Sequence, residues 1–202
     1  MRHHLISPFS VLLVAASIAL AIVPSAQAGT DPQPDGVGIY FDQAATQTWC
    51  TGALYQPTTA YLMVTHPSSA SGIAGVEVQV DIVGGFFMVW HTYAGGIIPM
   101  IVDYWPCACP FWFVPLPQAD AVAVATVEVM LFDAEIVEFR LGPCSPSSLP
   151  GMPSYAPGDR SAPRPLYVAS GDFSLPVARI NGEPVVPVAV STWGAVKGLY
   201  GR

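Results

Sequence analysis

Positive charge is nearly missing from most of this chain. Between Gly29 and Phe139 there is no Lys or Arg, against eleven Asp and Glu. Such a body repels phosphate backbones and lacks the dominant attractive term of nucleic-acid binding. It has no basic patch for an anionic membrane surface either. Six basic residues follow from Arg140 onwards, against three acidic ones. Long uninterrupted apolar runs are also lacking. The longest, Val11 to Val23, is too short for a stable span and is stopped by Pro24. Catalytic signatures are missing too: there is no G-x-S-x-G, no H-E-x-x-H and no P-loop. The expectation is a non-enzymatic protein with no cofactor. A hydrolase using the carboxylates Asp133, Glu135 and Glu138 is the most distant alternative.

What is present begins with an export signal. Arg2, His3 and His4 precede the apolar run, and Ala26-Gln27-Ala28 is a small-x-small cleavage site. Residues 1–28 read as a signal peptide. The mature chain is then secreted or held at the cell surface, with the periplasm as a third destination, and does not span the membrane. Its acidic surface favours solubility.

Abundant Pro and Gly exclude long helices, and period-2 patterning takes their place. In GVEVQVDI (75–82) Val76, Val78, Val80 and Ile82 alternate with Glu77, Gln79 and Asp81. Related runs occupy 37–42, 58–65, 86–92, 97–104 and 121–132. The last changes phase near Ala125-Thr126, which predicts a bulge. Asp133-Ala134 then predicts a tight hairpin into 135–141. Short strands at this spacing predict an all-β antiparallel sandwich, an Ig-like Greek key, with a jelly roll as alternative. The sandwich domain covers residues 29–181. It includes a Pro-rich segment, 142–165, expected as an extended or irregular loop. Late short strands are expected at 165–170 and 176–181, an extended linker at 182–191 and a short tail at 192–202.

Four cysteines in an exported chain point to disulfides. Cys107-Ala-Cys109 lacks C-x-x-C redox spacing, and the isolated His66 and His91 do not complete a zinc set, so no metal is expected. The favoured pairing is Cys50–Cys144 with Cys107–Cys109; the alternative ties the Cys107 loop to Cys50 and Cys144 separately. Aromatic side chains crowd this loop. Tyr93, Tyr104, Trp105 and Trp112 are candidate ligand-binding residues, and a carbohydrate-binding module using Trp105 and Trp112 is the second functional reading. The first is a secreted or cell-surface binding or structural module whose partner is a protein or glycan.

The tail has its own pattern. Thr192 can cap a short helix placing Trp193, Val196 and Tyr200 on one face, with Leu199 beside them. Lys197 and Arg202 sit towards the end that favours cations. These four apolar residues are a candidate docking element.

GVGIYFD (36–42), AYLMVTHPSSASGIAGVEVQV (60–80), GMPSYAPGD (151–159) and TWGAVKGLYGR (192–202) together carry a resemblance. The chain resembles a group of uncharacterised exported β-sandwich proteins of environmental bacteria. The resemblance implies export and a β-sandwich and implies no catalytic chemistry.

Overall fold

A computed structural model describes residues 32–94, 107–108 and 111–185. Among them thirteen strands follow one another: β1 (Gly36–Tyr40), β2 (Trp49–Cys50), β3 (Pro57–Thr65), β4 (Ile73–Val83), β5 (Phe87–Tyr93), β6 (Cys107–Ala108), β7 (Phe111–Leu116), β8 (Ala121–Leu131), β9 (Val137–Gly142), β10 (Ser154–Pro157), β11 (Arg164–Pro165), β12 (Tyr167–Val168) and β13 (Ala178–Ile180). They form an all-β, mainly antiparallel sandwich of two sheets. Sheet 1 has the order β12-β1-β3-β8-β5, and sheet 2 the order β11-β10-β4-β9-β13-β2, with β6 and β7 also on β4. Two short pairings are parallel, β1 with β12 and β13 with β2.

Alternation dictates the core. Val76, Val78 and Val80 of β4, with Val137, Phe139 and Leu141 of β9, face Val37, Ile39, Leu62, Val64, Val127 and Val129 of sheet 1 in one buried cluster. Full burial of each such side chain contributes roughly 1.5–3 kcal/mol. The phase change in β8 is a bulge. Leu62 pairs with Ala125 and Met63 with Ala123, leaving Val124 as the extra residue, so valines on both sides of it stay inward.

β4 is the spine of sheet 2. One edge pairs with β9 at Gln79–Val83 and then with β10 at Ile73–Glu77. The opposite edge pairs with β6 and then with β7, whose register shifts between Gly75 and Ile73. Gln79 is therefore flanked by Gly142 on one side and Cys107 on the other.

The outer face of sheet 1 is partly covered by the chain itself. Residues 41–48 fold back over Tyr40, Ala45 and Met63, which form a second, smaller core. Asp42 holds this loop, its carboxylate accepting from the Thr46 and Gln47 amides and the Thr46 hydroxyl. Burial pushes the Asp42 carboxyl up, and these bonds outweigh it and keep it below its ordinary value. Gly38 makes room: a Cβ there would sit 2.7 Å from the Tyr40 ring.

Two expectations are corrected. The turn at Asp133-Ala134 is not a hairpin between paired strands. Both edges of β8 are already taken by β3 and β5, so β9 crosses to sheet 2. The Pro-rich segment is not only a loop. It supplies β10 and β11, and Tyr155 within it is fully buried. At the start of the linker the Thr48 hydroxyl donates to the Val185 carbonyl. The strand expected at 97–104 and the tail lie outside the described residues.

An apolar face on sheet 1

The two outer faces of the sandwich differ in chemistry. On sheet 2 most outward positions at the centre of β4, β9 and β13 are polar and hydrogen-bonded, and the apolar Val83 stands only at the end of β4. Glu138 takes hydrogen bonds from Arg140 at 2.8 Å and Arg179 at 3.0 Å, and Gln79 donates to Asp81. The Arg140 bond, reinforced by Arg179, holds the Glu138 carboxyl below its ordinary value against a smaller effect of burial.

Sheet 1 presents the opposite surface beside its edge strand. Residues 86–90 read Phe-Phe-Met-Val-Trp, apolar in both parities. Phe87 and Val89 pack against the core. Phe86 (67% exposed), Met88 (48%) and Trp90 (43%) point outward. Register extends the patch onto β8: Met88 lies opposite Met130 and Trp90 opposite Glu128. At one end Phe86 and Phe132 meet at 5.1 Å between ring centroids, and Tyr55 meets Phe132 edge-on at 5.9 Å. Backbone bonds fix this corner: Phe132 N donates to Phe86 O, and Tyr55 N to Leu131 O. Tyr55, Phe86, Phe132, Met88, Met130 and Trp90 thus form one continuous surface.

Its charge has one sign. Glu128 lies opposite Trp90. Asp133 accepts from the Phe86 and Glu135 amides, which fixes its carboxylate beside the aromatic corner. No Lys or Arg occurs between residues 29 and 139 to offset them. Asp133 is thereby held as a turn residue and Glu138 by two arginines. The three carboxylates considered for a hydrolase occupy different settings.

The ligand-binding residues expected from the sequence lie elsewhere. Trp112 is 1% exposed, with its indole N–H donating to Ala94 O at 2.7 Å. Tyr93 is also buried, ring-to-ring with His91 at 5.3 Å. Flanking proline does not expose Trp112, because its one polar atom finds a carbonyl and the whole ring enters the core. Tyr104 and Trp105 lie outside the described residues, as do the tail residues Trp193, Val196, Leu199 and Tyr200.

The favoured disulfide pairing is corrected, and of the alternative the link from the Cys107 loop to Cys144 is found. Cys107 bonds Cys144, with Cα atoms 5.5 Å apart. Cys144 is thus unavailable to Cys50, and Cys107 to Cys109. Cys50 carries a free, half-buried thiol on β2, which burial pushes up to about 11. Cys109 lies outside the described residues. Among the described residues no three His, Cys, Asp or Glu side chains gather as metal ligands, and no helix is long and apolar enough to cross a membrane.

Sequence reasoning missed Tyr55, Phe86, Met88 and Phe132 as surface residues. The available signal was the double parity of 86–90. A strand with one wet face alternates apolar and polar; this one does not, so its outer face had to be apolar too.

No protein-family model matches the chain, and no curated protein matches it. Among solved structures, the sixth cohesin of scaffoldin B from Acetivibrio cellulolyticus, in complex with a mutant Cel5 dockerin, superposes with a TM-score of 0.44 at 10% identity. The alignment covers 75% of this chain and 100% of that one.

Proposed function

We propose that this protein is an exported, non-catalytic binding module that holds a protein partner against the apolar face of sheet 1. One observation carries the reading: at the β5 edge of sheet 1 the exposed side chains of Tyr55, Phe86, Met88 and Trp90 join the half-buried Met130 and Phe132 in one continuous apolar surface. Contiguous exposed surfaces of this kind mark interaction sites, whereas isolated exposed apolar residues do not. Aromatic and methionine side chains are also the types enriched in protein interfaces. The Cys107–Cys144 bond suits an oxidising compartment, in keeping with the export signal and a secreted or cell-surface location. Kinship with the exported sandwich proteins of environmental bacteria belongs to the same proposal.

The carbohydrate reading loses Trp112, whose ring is inside the core. The exposed rings are also set at 39° and 66° to Phe132 rather than in one plane, so they make no flat sugar-stacking platform.

The test compares the full chain with its Trp90→Glu and Met88→Glu forms on intact producing cells. Chemical cross-linking should give a discrete protein adduct with the parent and lose it at least tenfold in both variants, with unchanged thermal melts. Glycan-array binding that Trp90→Glu abolishes, without any protein adduct, would replace this reading with the carbohydrate one.

A further inference from the structure

We propose that the C-terminal segment, residues 192–202, is an intramolecular occupant of this apolar face and the element a partner must displace. The inference rests on the reading of the face as a docking surface and adds what first fills it.

Three observations converge. The first is charge. The face carries Glu128 and Asp133 on a stretch of chain that holds no Lys or Arg, so its complement is an apolar segment bearing positive charge. The second is composition. After Glu183 the chain has no acidic residue, while residues 192–202 combine Trp193, Val196, Leu199 and Tyr200 with Lys197 and Arg202. Those two cations have no counterpart anywhere between residues 29 and 139. The third is reach. Val185 is anchored to Thr48, and the chain from Thr48 to Tyr55 leads directly to the aromatic corner. That path spans at most roughly 25 Å, while the backbone from Val185 to Trp193 extends up to roughly 28 Å. Tethering of this length places the segment at an effective concentration on the order of millimolar, so a weak contact suffices to cover the face. A second copy of the chain fits less well, because two faces of the same negative sign would meet.

The contact has a regulatory consequence. Partner affinity is reduced by the fraction of molecules whose face is covered, and a partner with more buried apolar area, or higher salt, shifts that fraction.

The experiment uses the full chain with a photo-crosslinking residue, Trp193→p-benzoylphenylalanine, irradiated at dilution and mapped by mass spectrometry. The expected product is an intramolecular crosslink from residue 193 to the peptides holding Tyr55, Phe86–Trp90 or Met130–Phe132. Its yield should fall at least fivefold in a Met88→Glu/Trp90→Glu background. Val196→p-benzoylphenylalanine repeats the measurement should the first substitution disturb docking. Crosslinks from both probes to another surface, crosslinks only between molecules, or none at all would overturn the proposal. The two readings fail separately. Loss of the partner adduct in Trp90→Glu with crosslinks elsewhere leaves the binding face standing and removes the tail from it. Crosslinks to the face with an unaffected partner adduct do the reverse.

Discussion

Cys107 and Cys144 are joined across β4: Cys107 pairs with Gln79 on one edge of the strand, and Cys144 follows the Gly142 that pairs with Gln79 on the other. The bond clasps the two neighbours of the sheet's spine. It closes a separation of 37 residues, which the chain-entropy model converts to about 4 kcal/mol. The Cys107→Ala/Cys144→Ala form should lose stability of that order in urea unfolding. An unchanged midpoint would mean that pairing along β4 already fixes both neighbours without it.

Cys50 should react only when the chain unfolds. Its thiol is half-buried and pushed up to about 11, so at pH 8 about one molecule in a thousand carries the thiolate that alkylating reagents need. Labelling under denaturing, non-reducing conditions should tag Cys50, and native labelling should lag far behind. Rapid native labelling at Cys50 would show that the edge strand β2 opens readily.

Trp112 should behave as a core residue. Trp112→Ala should cost about 3–5 kcal/mol, in the range of large aromatic truncations. Trp112→Phe keeps most of the ring but leaves Ala94 O without its donor, for a loss of about 1–3 kcal/mol. Thermal melts of both forms check this, and parent-like stability in Trp112→Ala would contradict the burial.

Acid should weaken the sandwich through Glu138. Its folded carboxyl titrates below the ordinary 4.5 because Arg140 and Arg179 bond the charged form. The stabilisation is therefore complete above pH 4.5 and is lost as pH falls through the lower folded value. Glu138→Gln should melt lower at pH 7 and show a shallower decline between pH 5 and pH 3. A parallel decline in both forms would place the acid sensitivity elsewhere.

The strands were legible where one period governs them. Val76, Val78 and Val80 alternate with polar residues and face one core, and the phase slip in β8 revealed its bulge to within two residues. Legibility ended where partners come from far along the chain. Asp133-Ala134 has hairpin chemistry, yet the two edges of β8 were already claimed by β3 and β5, which no local window contains. Tyr155 sits among prolines and small residues, and its burial follows from Asp35 and Ser69, whose bonds to its hydroxyl come from the other end of the chain. Cysteine spacing could not choose Cys107–Cys144, because that choice depends on which strands flank β4. The binding face was readable only as a failure of alternation at 86–90.

The pairing of β2 has a consequence for the order of assembly. Among the described residues its ladder is formed with β13 alone, Trp49 opposite Arg179 and Cys50 opposite Ile180. A chain emerging from its N-terminus therefore carries β2 unpartnered until nearly all of the domain has followed. Sheet 2 cannot be completed from any fragment that stops short of residue 180, and closing so long a loop is slow relative to local pairing. Until then β2 lacks the strand beside which the half-buried Cys50 thiol sits in the folded domain. The late arrival of three residues, Ala178–Ile180, is therefore the step that completes the edge holding Cys50.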